Sequence, residues 1–214
     1  MAKEQPRMAD HWEVKYAVCV GGHEVVFAED QRDQEHPYFI GDCSYENPFG
    51  VPEYKNCIGT SDYLEAVAEF ANRIKTQAEL VRQTRAERGI SNLPLTRDAC
   101  LSGGLGDNIE GKLVVIRPEI MQDDKRTADY QYFVAEYGNG CRAEALGLGV
   151  FGQNLYTGKR ERWERPDILG IADPEKLPEW AKDRLKALQS EKQTSTRPKK
   201  KTEIVQTGDT QLRL

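Results

Sequence analysis

The sequence predicts an α+β protein, built mainly from antiparallel hairpins and packed by two helices. Three observations support this class. Glycine-containing turns separate β-rich segments at two places. One long segment repeats apolar residues every three or four positions, as a helix with one buried face does. A second segment with this spacing precedes a polar C-terminal tail. The helices are predicted at about 62–88 and 176–189.

The first hairpin is predicted from residues 12–28. Residues 12–20 and 23–28 are rich in β-branched and aromatic residues, and Gly21-Gly22 separates them. Glycine readily adopts the positive φ angles that two-residue hairpin turns require, so this pair predicts a tight turn. Residues 29–59 are rich in Asp, Gly, Pro and Asn and are predicted to be irregular, apart from a short apolar piece at 38–40.

The long helix is predicted to start after Ser61-Asp62, since either side chain can cap it, and to end at Gly89. Its apolar positions predict one face buried on a sheet. These positions are Leu64, Val67, Phe70, Ala71, Ile74, Ala78 and Val81.

The second half of the chain predicts further strands and a final helix. Residues 112–116 and 130–137 are apolar strand segments, and Thr157-Gly158 joins 147–156 to 159–165 in a second hairpin. Asp173-Pro174 opens the C-terminal helix. Its apolar stripe consists of Leu177, Trp180, Ala181, Leu185 and Leu188.

Charge divides the chain into parts. Residues 1–10 are predicted to be a flexible N-terminus, 11–189 an α+β body, and 190–214 a disordered basic tail. The body is either one domain or two subdomains, 11–110 and 111–189. Residues 191–214 contain six Lys/Arg and three Asp/Glu, a net of +3, so the chain total of −5 leaves −8 on residues 1–190. An acidic body disfavours nonspecific DNA binding. It is compatible with a basic protein partner or with a surface that imitates nucleic acid, but the simplest interpretation is that the charge keeps a small domain soluble.

The compartment is predicted to be the cytoplasm. The N-terminus is polar, and no segment approaches the ~18 apolar residues that a membrane span needs, so no membrane contact is expected. The five cysteines are odd in number and include no Cys-x-x-Cys pair, which predicts reduced thiols. Cys19 and Cys100 lie among apolar neighbours and are predicted to be core residues.

No metal, cofactor or catalytic site is predicted. His23, His36, Cys43 and Cys57 have ligand atoms for zinc, but structural zinc sites usually place their ligands in close pairs. Gly103-Gly-Leu-Gly106 precedes a strand, whereas a phosphate loop follows one, so a turn is predicted there. A small enzyme with a nucleophile at Cys43, Cys57 or Cys100 stays as an alternative, although the sequence does not show which thiol meets a histidine.

The second hairpin is the strongest candidate binding surface. It concentrates cations beside aromatic rings, a combination that suits base stacking or anchoring of a protein partner. The favoured interpretation of these residues is nevertheless a charged edge strand that resists aggregation, with its Trp covering the core, because edge strands commonly carry such charges. The candidate residues are Tyr156, Lys159, Arg160, Arg162, Trp163 and Arg165, together with Lys199, Lys200 and Lys201 of the tail.

Three segments carry a resemblance to a known group of proteins. They are Tyr132-Phe-Val-Ala-Glu-Tyr-Gly-Asn-Gly-Cys-Arg-Ala-Glu-Ala-Leu-Gly147, Asn154-Leu-Tyr-Thr-Gly158 and Arg162-Trp-Glu-Arg-Pro-Asp-Ile-Leu-Gly170. Residues 130–188 resemble uncharacterised accessory proteins of conjugative and other mobile elements in gut Firmicutes. The resemblance implies a small intracellular protein that helps an element persist, in some cases by antagonising host restriction or CRISPR defences. It assigns no residue a role.

These observations give a first hypothesis and two alternatives. The first is a non-enzymatic binding protein of a mobile genetic element, such as an anti-restriction or anti-CRISPR factor that contacts a host nuclease. The second is a nucleic-acid-binding accessory module that uses the 156–165 hairpin and the basic tail. The third is the small cysteine-dependent enzyme.

Overall fold

The computed structural model describes residues 5–102, 106–143 and 147–195. Within them the protein is α+β, as predicted, with two five-stranded antiparallel sheets. The first sheet has the order β1-β2-β3-β4-β5 and is covered on one face by helix α1, Tyr63–Glu87. Its strands are β1 Met8–Ala9, β2 Trp12–Val20, β3 His23–Glu29, β4 Tyr38–Ser44 and β5 Glu53–Thr60.

The second sheet has the order β10-β6-β7-β8-β9. A short helix α2, Ala128–Gln131, leads into β7, and helix α3, Glu179–Ser195, packs on one face of the sheet. The strands are β6 Leu113–Ile116, β7 Tyr132–Tyr137, β8 Gly149–Asn154, β9 Arg160–Glu164 and β10 Ile168–Ile171. None of the helices in these described segments is both long and apolar enough to cross a membrane.

The first hairpin forms where the glycine pair predicts it. Gly21 and Gly22 have φ angles of 62° and 83°, and Val20 pairs with His23 across the turn. A Cβ atom on Gly21 would lie 2.5 Å from Cγ2 of Val81 on α1. The turn therefore needs glycine for its backbone angle and for its close approach to the helix.

Helix α1 is confirmed, but in its first two turns the residues predicted to be buried are exposed. Asp62 caps it, accepting hydrogen bonds from the backbone N–H groups of Leu64 at 2.8 Å and Glu65 at 3.2 Å. Leu64 is 75% exposed and Val67 39% exposed, while Ala66 is fully buried. The sheet-facing stripe starts at Ala66, because Ala66 and Phe70 are the residues that pack on Phe27 and Ile40.

Two predictions for the first half of the chain are wrong, those for residues 29–59 and for Cys19. The region predicted to be irregular contains β4 and β5. Strand β1 lies in the N-terminal segment 1–10, whose predicted flexibility stays a prediction. Strand β5 is an edge strand exposed along most of its length, so it carries no apolar alternation. Cys19 is exposed because β2 has little cover over its C-terminal half, whereas Cys100 is buried as predicted.

The second sheet holds the larger core. Strand β6 is buried along its whole length, which explains its uninterrupted apolar sequence. Ala181 and Leu188 of the predicted stripe are buried on α3. Leu177 is also buried but lies before the helix, because Asp173 and Pro174 open a separate 3-10 turn, Pro174–Lys176, and α3 begins at Glu179. Helix α3 continues to Ser195, six residues past the predicted end, since Glu, Lys and Gln are good helix formers. The rest of the predicted tail, from residue 196, lies outside the described residues.

Side-chain contacts join the two sheets. Arg85 of α1 forms an ion pair with Asp129 of α2 at 3.4 Å, and the Gly22 N–H donates to Asp124 Oδ2 at 3.0 Å. Lys159 pairs with Glu46 at 2.8 Å. The choice between one domain and two subdomains stays a prediction.

Candidate functional site

The second hairpin forms as predicted, and its turn is shaped by one buried amide. Asn154 Oδ1 accepts hydrogen bonds from the backbone N–H groups of Tyr156 at 3.0 Å and Thr157 at 2.7 Å. Gly158 then supplies a φ angle of 69°. The turn leads into β9, which is an edge strand of the second sheet. Successive side chains of β9 alternate between the two faces of the sheet.

The cations of this hairpin do not form one open patch. Arg160 and Arg162 lie on the exposed face of β9, as the alternation predicts. Each of three cations pairs with a carboxylate: Lys159 with Glu46 at 2.8 Å, Arg160 with Glu136 at 2.8 Å and Arg162 with Glu164 at 3.3 Å. The pairing lowers the net positive charge that the sequence concentrates here.

Arg165 and the two aromatic rings serve the packing of the second sheet. Arg165 donates to the carbonyl oxygens of Gly140 at 3.1 Å and Asp107 at 2.6 Å. The Tyr156 ring meets Trp180 edge-on at 5.6 Å, and Trp163 packs against the core of the sheet. These predicted site residues therefore face different surroundings. Lys199, Lys200 and Lys201 lie outside the described residues.

The same sheet also carries a small aromatic surface that was not predicted from the sequence. Tyr137 of β7 pairs with Phe151 of β8, which pairs with Arg162 of β9. The rings of Tyr137 and Phe151 stack at 5.3 Å with an interplanar angle of 8°, and the Arg162 guanidinium lies 6.0 Å from the Phe151 ring centre. Only the strand register brings these three residues together, so their spacing in the sequence gives no signal.

Carboxylates gather at one end of the first sheet, which we call the acidic end. They come from the β1–β2 turn, the facing ends of β2 and β3, and the loop between β3 and β4. The set contains six acids and two cations, a net of −4 with His11 neutral. The acids are Asp10, Glu13, Glu29, Asp30, Asp33 and Glu35, and the cations are Lys15 and Arg32.

Strand register and hydrogen bonds hold the acidic end together. Glu13 and Glu29 are direct cross-strand partners. His11 bridges the turn and the loop, with Nδ1 3.0 Å from Asp10 and Nε2 3.5 Å from Asp33. The Asp10 side chain is 84% exposed. Six acids spread over residues 10–35 thus lie at one end of the first sheet, which the charge count of the sequence does not reveal.

Hydrogen bonds shift the pKa values of three groups at the acidic end. The hydrogen bond from Arg32 lowers the pKa of Asp30, and the backbone N–H of His36 lowers that of Asp33. The hydrogen bond with Asp10 raises the pKa of His11. Hydrogen bonding in the folded protein therefore favours the charged forms of Asp30, Asp33 and His11.

A cleft of about 730 Å³ lies between the two sheets. It is lined by the β2–β3 turn, the end of β4, the segment 122–125 and the β8–β9 turn. Its wall carries four carboxylates and two lysines: Glu24, Glu46, Asp124 and Glu161, with Lys125 and Lys159. Burial raises the pKa of Glu161. The cleft is thus polar and mildly acidic.

The thiols on this chain are poorly suited to nucleophilic catalysis. Cys19 and Cys43 line the cleft on either side of Glu24, and burial raises the pKa of both. Burial also raises the pKa of Cys57, Cys100 and Cys141. The reactive species is the thiolate, so these shifts disfavour the cysteine-enzyme alternative.

Within the described segments, no three His, Cys, Asp or Glu side chains are placed to share a metal ion. In comparisons with protein-family models, curated proteins and solved structures, the chain matches none of them. Its residues and their geometry are therefore the basis of the functional argument.

Proposed function

We propose that this chain is a non-enzymatic, intracellular binding protein of a mobile genetic element, and that its acidic end occupies a basic, nucleic-acid-binding surface of a host nuclease. The observation that carries the proposal is the convergence of six carboxylates on one end of the first sheet. The net charge of −8 on residues 1–190 acts in the same direction.

The physical argument is one of charge complementarity. Nucleic-acid-binding grooves are lined with Lys and Arg, and most of their affinity comes from phosphate charge. A protein surface with several fixed carboxylates is attracted to the same groove, and the attraction also speeds the encounter. Asp30 and Asp33 are held by hydrogen bonds, so part of the surface is ordered before it binds.

The mobile-element context rests on the resemblance of residues 130–188. Proteins of that kind benefit an element when they block a host nuclease. The acidic end lies outside the resembling region, so it supports the proposal independently. A binding role also agrees with thiols that carry raised pKa values.

Affinity capture tests this proposal with a matched pair of variants. The acidic-end variant combines Asp10→Asn, Glu13→Gln, Glu29→Gln and Glu35→Gln, and it leaves Asp30 and Asp33 to hold the loop. The control variant removes four exposed carboxylates elsewhere: Glu79→Gln, Glu87→Gln, Glu119→Gln and Asp183→Asn. Both variants change the net charge equally, and circular dichroism checks that both fold.

The bait is the full chain in a host lysate treated with nuclease to remove nucleic acid. The wild type and the control variant are expected to retain a nuclease, which high salt releases, and the acidic-end variant is expected to lose it. Equal retention by both variants, or capture of no nucleic-acid-binding enzyme, would contradict the proposal.

A second candidate function has one observation in its favour. The stacked Tyr137 and Phe151 rings with Arg162 form a flat aromatic and cationic surface, which suits stacking of single-stranded bases. The test is fluorescence anisotropy with a labelled single-stranded oligonucleotide. Binding should fall with salt and with Arg160→Ala/Arg162→Ala, but not with the control Lys75→Ala/Arg82→Ala. Binding that is unaffected by salt or by the hairpin change excludes this function.

A further inference from the structure

The outer edge of β2 is open along the second half of the strand. Strand β1 pairs only with Trp12 and Glu13, and the Val14 N–H then donates to the Arg7 carbonyl oxygen at 2.9 Å. Past Val14, no strand in the described part of the chain pairs with this side of β2. Residues 16–20 therefore present a free strand edge, which we call the β2 edge.

The hydrogen bonds to β3 determine which backbone groups face this edge. Val20 and His23 close the two-residue turn, so this pair exchanges both of its backbone hydrogen bonds. Bonded and non-bonded pairs alternate along an antiparallel ladder, and the register does not shift within residues 16–20. The N–H and C=O groups of Ala17 and Cys19 therefore point away from β3, toward the β2 edge.

The β2 edge lacks the usual protection against strand pairing. Exposed edges of natural sheets carry charged side chains, Pro or bulges that discourage a further strand. Residues 16–20 contain no charged residue and no Pro, and the bulge in the pairing with β3 lies before them, between Val14 and Tyr16. Ala17 and Cys19 are exposed, and Tyr16 is 62% exposed. The edge is therefore suited to pairing with another strand.

An exposed apolar patch adjoins this edge. Tyr16 of β2 and Tyr63 of α1 both lie beside Phe27, with ring centres 6.1 and 6.2 Å from it. Tyr63 is 50% exposed, and its helical neighbours Leu64 and Val67 are 75% and 39% exposed. Exposed apolar patches of this kind mark interaction sites. The patch and the open edge together form one surface for a partner that supplies a strand.

We propose that this partner is a second copy of the chain, and that the two β2 edges pair antiparallel so that two five-stranded sheets join into one. Identical edges meet in this way about a twofold axis. An axis beside Val18 places Ala17 of each copy opposite Cys19 of the other, so all of their outward N–H and C=O groups are paired. An axis beside Ala17 or Cys19 instead leaves one of these residues opposite the bulge at Lys15 or the turn at Gly21.

The same axis covers part of the apolar patch. It is perpendicular to the joined sheet, so both α1 helices lie on the same face and Tyr16 lies opposite Val20 of the other copy. Tyr16 and Tyr63 alone leave about 200 Å² exposed on each copy, at roughly 150–250 Å² per aromatic side chain. With the strand edge, the interface totals about 1,000 Å², near the lower limit for specific complexes. The dimer is therefore expected to be weak, with a dissociation constant in the micromolar range.

Like charge on the two copies gives the dimer a distinct salt dependence. Each copy carries a net charge of −5, and no charged residue lies in the paired segment. Salt screens the repulsion between the copies and does not weaken the apolar contact or the strand pairing. Salt should therefore strengthen the dimer.

Sedimentation velocity of the full chain over a series of protein concentrations tests this inference, with a reductant present. The weight-average mass is expected to rise from that of one chain to that of two and no further, and to rise at lower protein concentration in higher salt. A mass of one chain at every concentration overturns the inference. Growth beyond two copies also overturns it, because a twofold axis closes the assembly.

A matched pair of variants at one position locates the interface. Ala17→Pro removes an outward N–H and keeps the hydrogen bonds between β2 and β3, so it should raise the dissociation constant at least about tenfold. Ala17→Ser keeps the N–H and should dimerise like the wild type. Circular dichroism checks that both variants fold. Equal dimerisation of the two variants overturns the pairing of these edges.

Disulfide trapping tests the register, and it does not depend on the folding of Ala17→Pro. Ala17→Cys places a thiol opposite Cys19 of the other copy, at the ~5.5 Å Cα separation of a bonded pair, which a disulfide can span. Oxidised glutathione should give a covalent dimer, and peptide mass spectrometry should find the introduced thiol joined to Cys19. The control Lys75→Cys has the same number of thiols and should not link to Cys19. Absence of the Cys19 link in Ala17→Cys overturns the proposed register.

This dimer does not depend on the proposed nuclease contact. Residues 16–20 contribute no carboxylate to the acidic end. A monomeric protein that captures a nuclease overturns the dimer alone. A dimer that captures none overturns only the proposed function.

Discussion

The guanidinium group of Arg7 donates two hydrogen bonds to the carboxylate of Glu24, at 3.0 and 2.6 Å. The same side chain reaches the Tyr54 hydroxyl at 3.2 Å and lies 3.1 Å from Cys43 Sγ. These partners stand on β3, β5 and β4, so one residue ahead of β1 contacts three strands of the first sheet. The N-terminal segment is thereby fastened across the sheet beside the cleft.

Removal of the Arg7 side-chain charge should destabilise the first sheet. Arg7→Met leaves Glu24 without its ion-pair partner at a site where the carboxylate side chain is only 14% exposed. We expect a loss of about 2 kcal/mol in the free energy of unfolding, measured by urea denaturation. Lys15→Met removes an exposed ion pair with Glu13 and should cost less than about 0.5 kcal/mol. Equal losses in the two variants would contradict the role given to Arg7.

The same ion pair should make stability depend on pH. The hydrogen bonds from Arg7 lower the pKa of Glu24 below its ordinary value of 4.5. The folded protein therefore gains stability from Glu24 above pH 4.5, and this gain is lost as the pH falls through the lowered pKa. The difference in unfolding free energy between the wild type and Glu24→Gln should be constant near neutral pH and shrink in acid. A difference that does not change with pH would be inconsistent with this pair.

The buried contact between Arg85 and Asp129 gives a third prediction. Their side chains are 11% and 6% exposed, and Arg85 Nη2 and Asp129 Oδ1 have no hydrogen-bond partner among the described residues. Arg85→Met leaves a buried carboxylate alone and should cost about 3 kcal/mol of unfolding free energy. The double change Arg85→Met/Asp129→Leu should cost less than Arg85→Met, because it removes both buried charges. A double variant that loses as much unfolding free energy as Arg85→Met, or more, would show that burial of an unpaired charge does not determine the loss.

Thiol labelling should separate the five cysteines. Cys19 and Cys57 are exposed, whereas Cys43, Cys100 and Cys141 are buried. Iodoacetamide followed by mass spectrometry should label Cys19 and Cys57 first in the native protein. Because partial desolvation raises the pKa of both thiols, their labelling should be slow at neutral pH and faster in alkali. Labelling of Cys141 at the rate of Cys19 would contradict the packing of the second sheet.

The sequence predicted elements whose pattern comes from one buried face. The Gly21-Gly22 turn, helix α1 and the stripe of α3 all have such local signals. Strand β5 has none, because it is an exposed edge strand with a positive φ at Asn56. Leu64 and Val67 were predicted to be buried but are exposed. Apolar residues at helical spacing indicate which face of a helix is apolar, but they do not show at which residue the helix first meets the sheet.

The candidate sites were less predictable, because they depend on tertiary placement. The cations of the second hairpin are adjacent in the chain, but their carboxylate partners Glu46 and Glu136 are not. The acidic end required the β2–β3 register and the folding of the loop after β3 toward the β1–β2 turn. Charge count and spacing cannot report such long-range placement.

The most direct measurement is a competition experiment, in which this protein and a labelled oligonucleotide compete for the captured nuclease. The fluorescence anisotropy of the oligonucleotide reports how much of it stays bound to the enzyme. The wild type and the control variant should displace the oligonucleotide. The acidic-end variant should need a concentration at least about tenfold higher for the same displacement, because several charge contacts are lost. An oligonucleotide that stays bound while this protein binds the nuclease would contradict the account. So would an acidic-end variant that competes like the wild type.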